Sequence, residues 1–179
     1  MEKCNIEVEV RSFITDDQYK ILLSILRFNG EFIRELNEET IYFSGDKDLR
    51  LRRNKKDAYI IYKKGNLHDK FREEIEIKFE TVDFEKMQNL FETLGYELEI
   101  KWLRKRLEFQ QDDMKILLDD TMGYGKIIEI EKMVSAGEED VTYAKLEKKL
   151  MKMGVKISTK EEFNYAFEYY KNNWRSLIK

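Results

Sequence analysis

Strict alternation of charged and apolar residues constrains this chain more than any other feature. Residues 5–13 read Asn-Ile-Glu-Val-Glu-Val-Arg-Ser-Phe, with Ile6, Val8 and Val10 on one side and Glu7, Glu9 and Arg11 on the other. That is the period of a β-strand with one apolar and one charged face. The same polarity returns at 48–53, where Leu49 and Leu51 alternate with Arg50 and Arg52, and at 58–63, where Lys63 is in phase with Tyr59 and Ile61. It returns at 72–79, where Arg72, Glu74, Glu76 and Lys78 share a face, at 98–109, which carries Arg104 and Arg106, and at 126–132, which carries Glu129 and Glu131. Residues 39–44 and 114–118 read as two further strands, with turns at 45–46 and 119–125 and a polar loop at 64–70.

Helical spacing fills the gaps. Thr15 and Gln18 form a capping-box pattern ahead of a helix that ends before Gly30. A second helix is expected at 83–94, with Asp83 as N-cap and Gly95 just past its end. Two more close the chain at 138–153 and 159–177, the last opening on a Thr159/Glu162 box and carrying an apolar stripe of Phe163, Phe167, Tyr170, Trp174 and Leu177. Eight strands in neighbouring hairpins with four helices favour an antiparallel barrel or strongly curved sheet over a parallel one. The expected fold is α+β, an eight-stranded antiparallel β-barrel with flanking α-helices, in one domain spanning 1–179. A weak repeat fits a pseudo-twofold barrel: Glu7, Glu9 and Arg11, followed by a helix and Gly30, match Glu74, Glu76 and Lys78, followed by a helix and Gly95.

Composition narrows the chemistry. The 179 residues carry 33 Lys+Arg against 36 Asp+Glu, a formal net charge of −3, which speaks against a nucleic-acid partner. Cys4 is the single cysteine and His68 the single histidine, so neither an internal disulfide nor a His-rich metal site can form. Any metal must take oxygen ligands, as Mg²⁺ or Mn²⁺ does. The sequence has no long apolar run and no signal-like segment, so no membrane partner and a cytoplasmic location are expected.

The charged strand faces admit two readings. Each could be the wet side of an antiparallel sheet. If instead the helices pack on the apolar faces from outside, the charges line the inside of a barrel. A charged interior is costly unless a ligand or mutual pairing compensates it. Balanced Arg/Lys and Glu sets suit a polyphosphate bound with a divalent cation, Arg and Lys on the phosphates and Glu on the metal. No Gly-rich phosphate loop is present, so side chains would do the holding.

In order along the chain, these pieces resemble the CYTH superfamily of triphosphate tunnel metalloenzymes, which includes class IV adenylyl cyclases and thiamine triphosphatases. The family's Glu-x-Glu-x-Lys resembles Glu7-Val-Glu9-Val-Arg11, its Arg-x-Arg strand resembles Arg50-Leu51-Arg52, and its Tyr-Lys-Gly strand end looks like Tyr62-Lys63-Lys64-Gly65. Its Arg-x-Glu-x-Glu strand is similar to Arg72-Glu73-Glu74-Ile75-Glu76, and its basic-x-basic strand to Arg104-Lys105-Arg106. Its closing segment looks like Leu118-Asp119-Asp120 through Glu129-Ile130-Glu131.

The resemblance implies a tunnel that binds a triphosphate with Mg²⁺ or Mn²⁺. Glu7, Glu9, Glu129 and Glu131 would be metal ligands, with Asp119, Glu74 and Glu76 as further candidates. Arg11, Arg50, Arg52, Lys63, Arg72, Arg104 and Arg106 would hold phosphates, and Glu7, Glu9, Arg11 and Lys63 would carry the reaction. The substrate would be inorganic triphosphate, ATP or another nucleoside triphosphate, or thiamine triphosphate, and the protein a monomer or homodimer. Hydrolysis is the leading activity. Cyclisation of ATP to cyclic AMP and a non-catalytic polyphosphate-binding barrel are the alternatives. Two positions depart from the pattern: Arg11 stands for the signature Lys, and Thr40 for the Asp that precedes the aromatic pair of the second strand. Lys63 is preferred over Lys64 because it is in phase with its strand. Cys4 reads as structural, His68 as a surface residue, Glu97/Glu99/Lys101 as a chance copy of the signature, and the Phe163–Trp174 stripe as core packing.

Overall fold

A computed structural model describes residues 6–45, 48–64 and 74–179. Cys4, His68 and Arg72 lie outside the described residues. Along the chain the elements are β1 (Ile6–Ile14), α1 (Asp16–Asn29), β2 (Glu31–Phe43), β3 (Asp48–Arg53), β4 (Ala58–Lys63), β5 (Glu74–Phe79), α2 (Phe84–Thr93), β6 (Leu98–Gln111), β7 (Met114–Thr121), β8 (Gly125–Val134), α3 (Glu139–Lys152) and α4 (Lys160–Leu177). The strands form one antiparallel sheet in the order β1-β8-β7-β6-β2-β3-β4-β5. The sheet curls into a barrel around its charged face. Among the described residues the ladder does not close: β1 and β5 are edge strands, and Lys63 at the end of β4 spans the gap, 2.6 Å from Glu74 of β5 and 3.9 Å from Glu7 of β1.

The order is palindromic if β1-α1-β2-β3-β4 is exchanged for β5-α2-β6-β7-β8, with the pseudo-twofold between β2 and β6. The short sequence repeat reflects this arrangement. Both capping boxes form, at Thr15/Gln18 and Thr159/Glu162. Asp83 takes the N-cap position of α2 without a capping side-chain bond, behind a single 3₁₀ turn at Thr81–Asp83.

Two boundaries differ from the sequence expectation by three residues or more. β2 starts at Glu31 rather than 39, because residues 34–39, Arg-Glu-Leu-Asn-Glu-Glu, carry polar groups on both faces, and a bulge between Phe32 and Arg34 shifts the period ahead of them. β7 continues through Thr121, so Asp119 lies in the ladder opposite Arg106 and not in a turn. The turn falls at Gly123, whose φ of +74° is open to glycine. A Cβ there would lie 2.4 Å from Cβ of Leu177, so the glycine also lets the end of α4 dock.

The apolar sides of the strands carry the core. Val8, Val10, Ile116, Leu118, Ile128 and Ile130 pack with α1 and α3, through Leu22, Leu26, Leu146 and Leu150. Ile41, Leu51 and Ala58 pack with Phe84 of α2. Helix α4 does something else. Its Phe167, Tyr170 and Trp174 gather around Ile100, Tyr42, Trp102 and Tyr124 at one end of the barrel. Tyr170 donates to the carbonyl of Lys101 at 2.8 Å, and the Trp174 indole to that of Glu99 at 2.9 Å.

Ser12 shows how α4 is aimed. It is fully buried on β1, where its Oγ donates to the Lys156 carbonyl at 2.6 Å and accepts from the Ser158 amide at 2.9 Å. The link between α3 and α4 is pinned there. Ser12→Ala takes this partner from the Lys156 carbonyl and the Ser158 amide, and loss of the two hydrogen bonds is expected to cost about 1–3 kcal/mol in denaturant unfolding. An unchanged midpoint would mean the link is held by its apolar contacts alone.

Candidate functional site

Every strand sends side chains into one cavity of about 310 Å³. All the site residues expected from the sequence that fall among the described residues line it. β1 supplies Glu7, Glu9 and Arg11; β8 Glu129 and Glu131; β7 Asp119; β6 Arg104 and Arg106. β3 supplies Arg50 and Arg52, β4 Lys63, and β5 Glu74 and Glu76. The phase preferred for β4 is observed: Lys63, not Lys64, lines the cavity.

The cations are held in place by carboxylates. Asp119 accepts a two-pronged bond from Arg106, Nε and Nη2 each at 2.7 Å, and a third from Arg104 Nη1 at 3.1 Å. Glu38 accepts from Arg104 Nε at 3.2 Å and Nη2 at 2.6 Å, and its other oxygen is 3.7 Å from Arg52. Arg52 also reaches Glu76 at 2.6 Å, while its buried Nε has no hydrogen-bond partner among the described residues. Arg50 is gripped by both oxygens of Asp48, at 2.6 and 2.5 Å, and lies 4.3 Å over the Tyr42 ring. Burial opposes ionisation of Glu38 and Asp119, but the surrounding guanidiniums outweigh it and hold both below their ordinary values.

The opposite wall is acidic. In the β1–β8 ladder Glu9 faces Glu131 and Arg11 faces Glu129. Burial, reinforced by Glu131, Glu9 and Glu74 and offset by Lys63, pushes Glu7 up to about 7. Burial and the neighbouring Glu9, offset by Arg106, push Glu129 up to about 8. These carboxylates crowd one another beyond what the nearby cations neutralise. That is the electrostatic condition that favours a bound cation. Among the described residues no three His, Cys, Asp or Glu side chains converge closely enough to hold a metal ion. The donor set therefore fits a hard cation held by one or two carboxylates, with waters and ligand oxygens completing its shell.

Arg11 lies 4.7 Å over the ring of Phe163 and 3.6 Å from Glu9, so α4 touches the position that departs from the signature. Thr40, the other departure, is buried on the cavity wall opposite Trp102. Sequence reasoning missed Glu38, Asp48, Arg34, Glu108 and Lys115. Period two could have found three of them: Asp48 is two before Arg50, Glu108 two after Arg106, and Lys115 four before Asp119. Arg34 and Glu38 lie in the stretch of β2 that is polar on both faces and so shows no strand period.

A single antiparallel sheet, curled so that fixed guanidiniums face crowded carboxylates across a small cavity, defines a charged-interior barrel. The chain belongs to the CYTH family: the CYTH domain family model matches residues 5–166. A Methanocaldococcus jannaschii protein bearing the name "Putative adenylate cyclase MJ0240" is 35% identical over 141 residues, covering 73% of this chain and 78% of that protein. Among solved structures, the PH1819 protein of Pyrococcus horikoshii OT3 is 30% identical with a TM-score of 0.73, over 84% of this chain and 92% of that one. A Hippeastrum protein described as "Putative adenylyl cyclase HpAC1" that "reveals a dominant triphophatase activity" shares the fold at 16% identity and a TM-score of 0.62, over 92% of this chain and 95% of that one. Among the described residues no helix is long and apolar enough to cross a membrane.

Proposed function

We propose that this protein is a divalent-metal-dependent phosphohydrolase acting on a triphosphate, inorganic or carried by a nucleoside or thiamine. The observation that carries this reading is the division of the cavity into a wall of prefixed guanidiniums and a wall of crowded carboxylates. Arg50, Arg52, Arg104 and Arg106 cradle the phosphate chain. Their carboxylate partners hold them at the positions where negative charge must be met, so little reorganisation is needed as charge develops. Lys63, at the seam between Glu7 and Glu74, supplies a compact cation to a phosphoryl oxygen. One or two carboxylates of the set Glu7, Glu9, Glu129 and Glu131 would hold Mg²⁺ or Mn²⁺, with water and phosphate oxygens completing its shell. Such an ion, once bound, screens the phosphate charge and polarises the phosphoryl group. Water attacks a phosphoryl phosphorus, one P–O anhydride bond breaks, and inorganic triphosphate yields orthophosphate and diphosphate.

Phosphate release from inorganic triphosphate, nucleoside triphosphates and thiamine triphosphate, each with Mg²⁺ and with Mn²⁺, tests the reading. Turnover of at least one is expected, with loss of all turnover on adding EDTA. Silence across the panel would overturn it. A second reading, adenylyl cyclase, is favoured by the name of the M. jannaschii relative and by the aromatic end of the cavity, where Tyr42, Trp102 and Tyr124 could stack a base. Cyclic AMP and diphosphate as the products from ATP would replace the hydrolytic reading with that one.

A further inference from the structure

The cavity has two unlike ends. At one, α4 forms a plug. Phe163 stacks on Phe13 at 4.5 Å, Phe167 meets Tyr42 at 6.4 Å, and Trp102 meets Tyr124 at 4.4 Å. At the other, two cations line the cavity that the charged signature of the strands does not include, Arg34 of β2 and Lys115 of β7, with 56% and 44% of their side chains exposed. Lys115 reaches Glu131. Arg34 donates to Glu108 through Nε at 2.6 Å and Nη2 at 3.3 Å.

The Arg34 arrangement has the features of a built site. Glu108 is buried on β6, two residues beyond Arg106 on the same face, or about 6.7 Å further along the strand. Its fork fixes Arg34 while leaving the guanidinium's remaining N–H groups available. Backbone geometry contributes too. Residues 32 and 34 would share a face in a regular strand. The bulge instead lets Phe32 pack edge-on against the buried Phe109 at 5.5 Å while Arg34 turns into the cavity.

We propose that Arg34 and Lys115 form an additional anion subsite at the open end, which takes a fourth phosphoryl group or an equally charged terminus of an elongated phosphate ligand. The inference rests on the polyphosphate reading above and deepens it. With the α4 end plugged, a chain longer than three phosphates can extend only past Arg106 toward Glu108, where these two cations meet it. The ligand class is therefore short linear polyphosphates, and four units are held better than three.

Calorimetric titration of the full protein with inorganic triphosphate and with inorganic tetraphosphate, run without and with Mg²⁺, tests this. The wild type is expected to bind tetraphosphate about tenfold more tightly, the effect of one charge-assisted contact. Arg34→Gln is expected to bring the ratio of the two affinities close to one while triphosphate binding stays within about twofold. Lys115→Met is read by the same ratio, since its contact with Glu131 shifts both affinities together. Should Arg34→Gln fail to fold, Arg34→Lys carries the test, because it keeps the charge and loses the fork. Equal binding of the two anions by the wild type, or equal loss of both in the variant, overturns the subsite and leaves the polyphosphate reading standing. Binding of neither anion under either condition overturns both.

Discussion

Replacing Glu129 with glutamine is expected to cut triphosphate turnover by a factor of about 10²–10³ while raising the melting temperature of the cation-free protein above pH 7. The two effects share a cause. Burial and the neighbouring Glu9 lift the Glu129 carboxyl from 4.5 to about 8. The folded state therefore keeps a proton that the unfolded chain gives up near its ordinary value. Below about pH 4.5 both states are protonated and the group contributes no pH dependence. From there to about pH 8 stability falls, because the folded protein must either retain the proton or bury a crowded negative charge. The penalty near pH 8 is on the order of 2–4 kcal/mol, several degrees of melting temperature for a chain of this size. Glutamine removes the titrating group and with it that slope. The check is a set of thermal melts from pH 5 to 8.5 for both proteins, beside their turnover. If Glu129→Gln melts lower than the wild type at pH 8, the crowding described for the acidic wall is wrong. If it turns over triphosphate at the wild-type rate, Glu129 has no part in the reaction.

Asp119→Asn is expected to be the most destabilising single substitution in the cavity. Asp119 faces two guanidiniums at 2.7–3.1 Å, and its side chain is 4% exposed. Neutralising it leaves Arg104 with Glu38 and Arg106 with the distant edge of Glu129, 3.5 Å away. Loss of one partner from such a buried set costs about 3–5 kcal/mol. The sign with pH is opposite to that of Glu129. Asp119 is held below its ordinary value, so its contribution is present above about pH 3.8 and is lost as the pH falls through the depressed value. Urea unfolding at pH 7 and pH 3 separates the two proteins: a large deficit at pH 7 should shrink at pH 3. The experiment also bears on role. A residue that only ligates a metal leaves the metal-free fold nearly untouched when replaced. A large loss of stability without metal instead makes Asp119 the residue that positions Arg104 and Arg106.

Much of this was legible in the chain. Glu7, Glu9 and Arg11 could be assigned to one face, and Lys63 preferred over Lys64, because the side-chain period of a strand is a local property that neighbouring residues reveal. The ordered match from Glu7 to Glu131 pointed to the same family as the CYTH domain match over residues 5–166. The start of β2 was not legible, since Arg34-Glu35-Leu36-Asn37-Glu38-Glu39 is polar on both faces and the bulge ahead of it shifts the period of the first residues. The extent of β7 was misread for a related reason. Asp119 and Asp120 carry the composition of a turn, yet the pairing of Arg106 with Asp119 and of Lys105 with Asp120 draws both into the ladder.

Which residues face inward is therefore written in the sequence, because alternation needs only the next few residues to be read. Which carboxylate holds which cation is written only in the folded sheet. Arg104 meets Glu38 across 66 residues and Arg34 meets Glu108 across 74, and no local pattern carries that information. The order β6-β2-β3 makes those pairs, and α4 decides which end of the cavity stays open. The charges themselves come from the chain. Their fixation, and so the ability to meet a phosphate without rearranging, comes from strands distant in sequence lying about 4.8 Å apart.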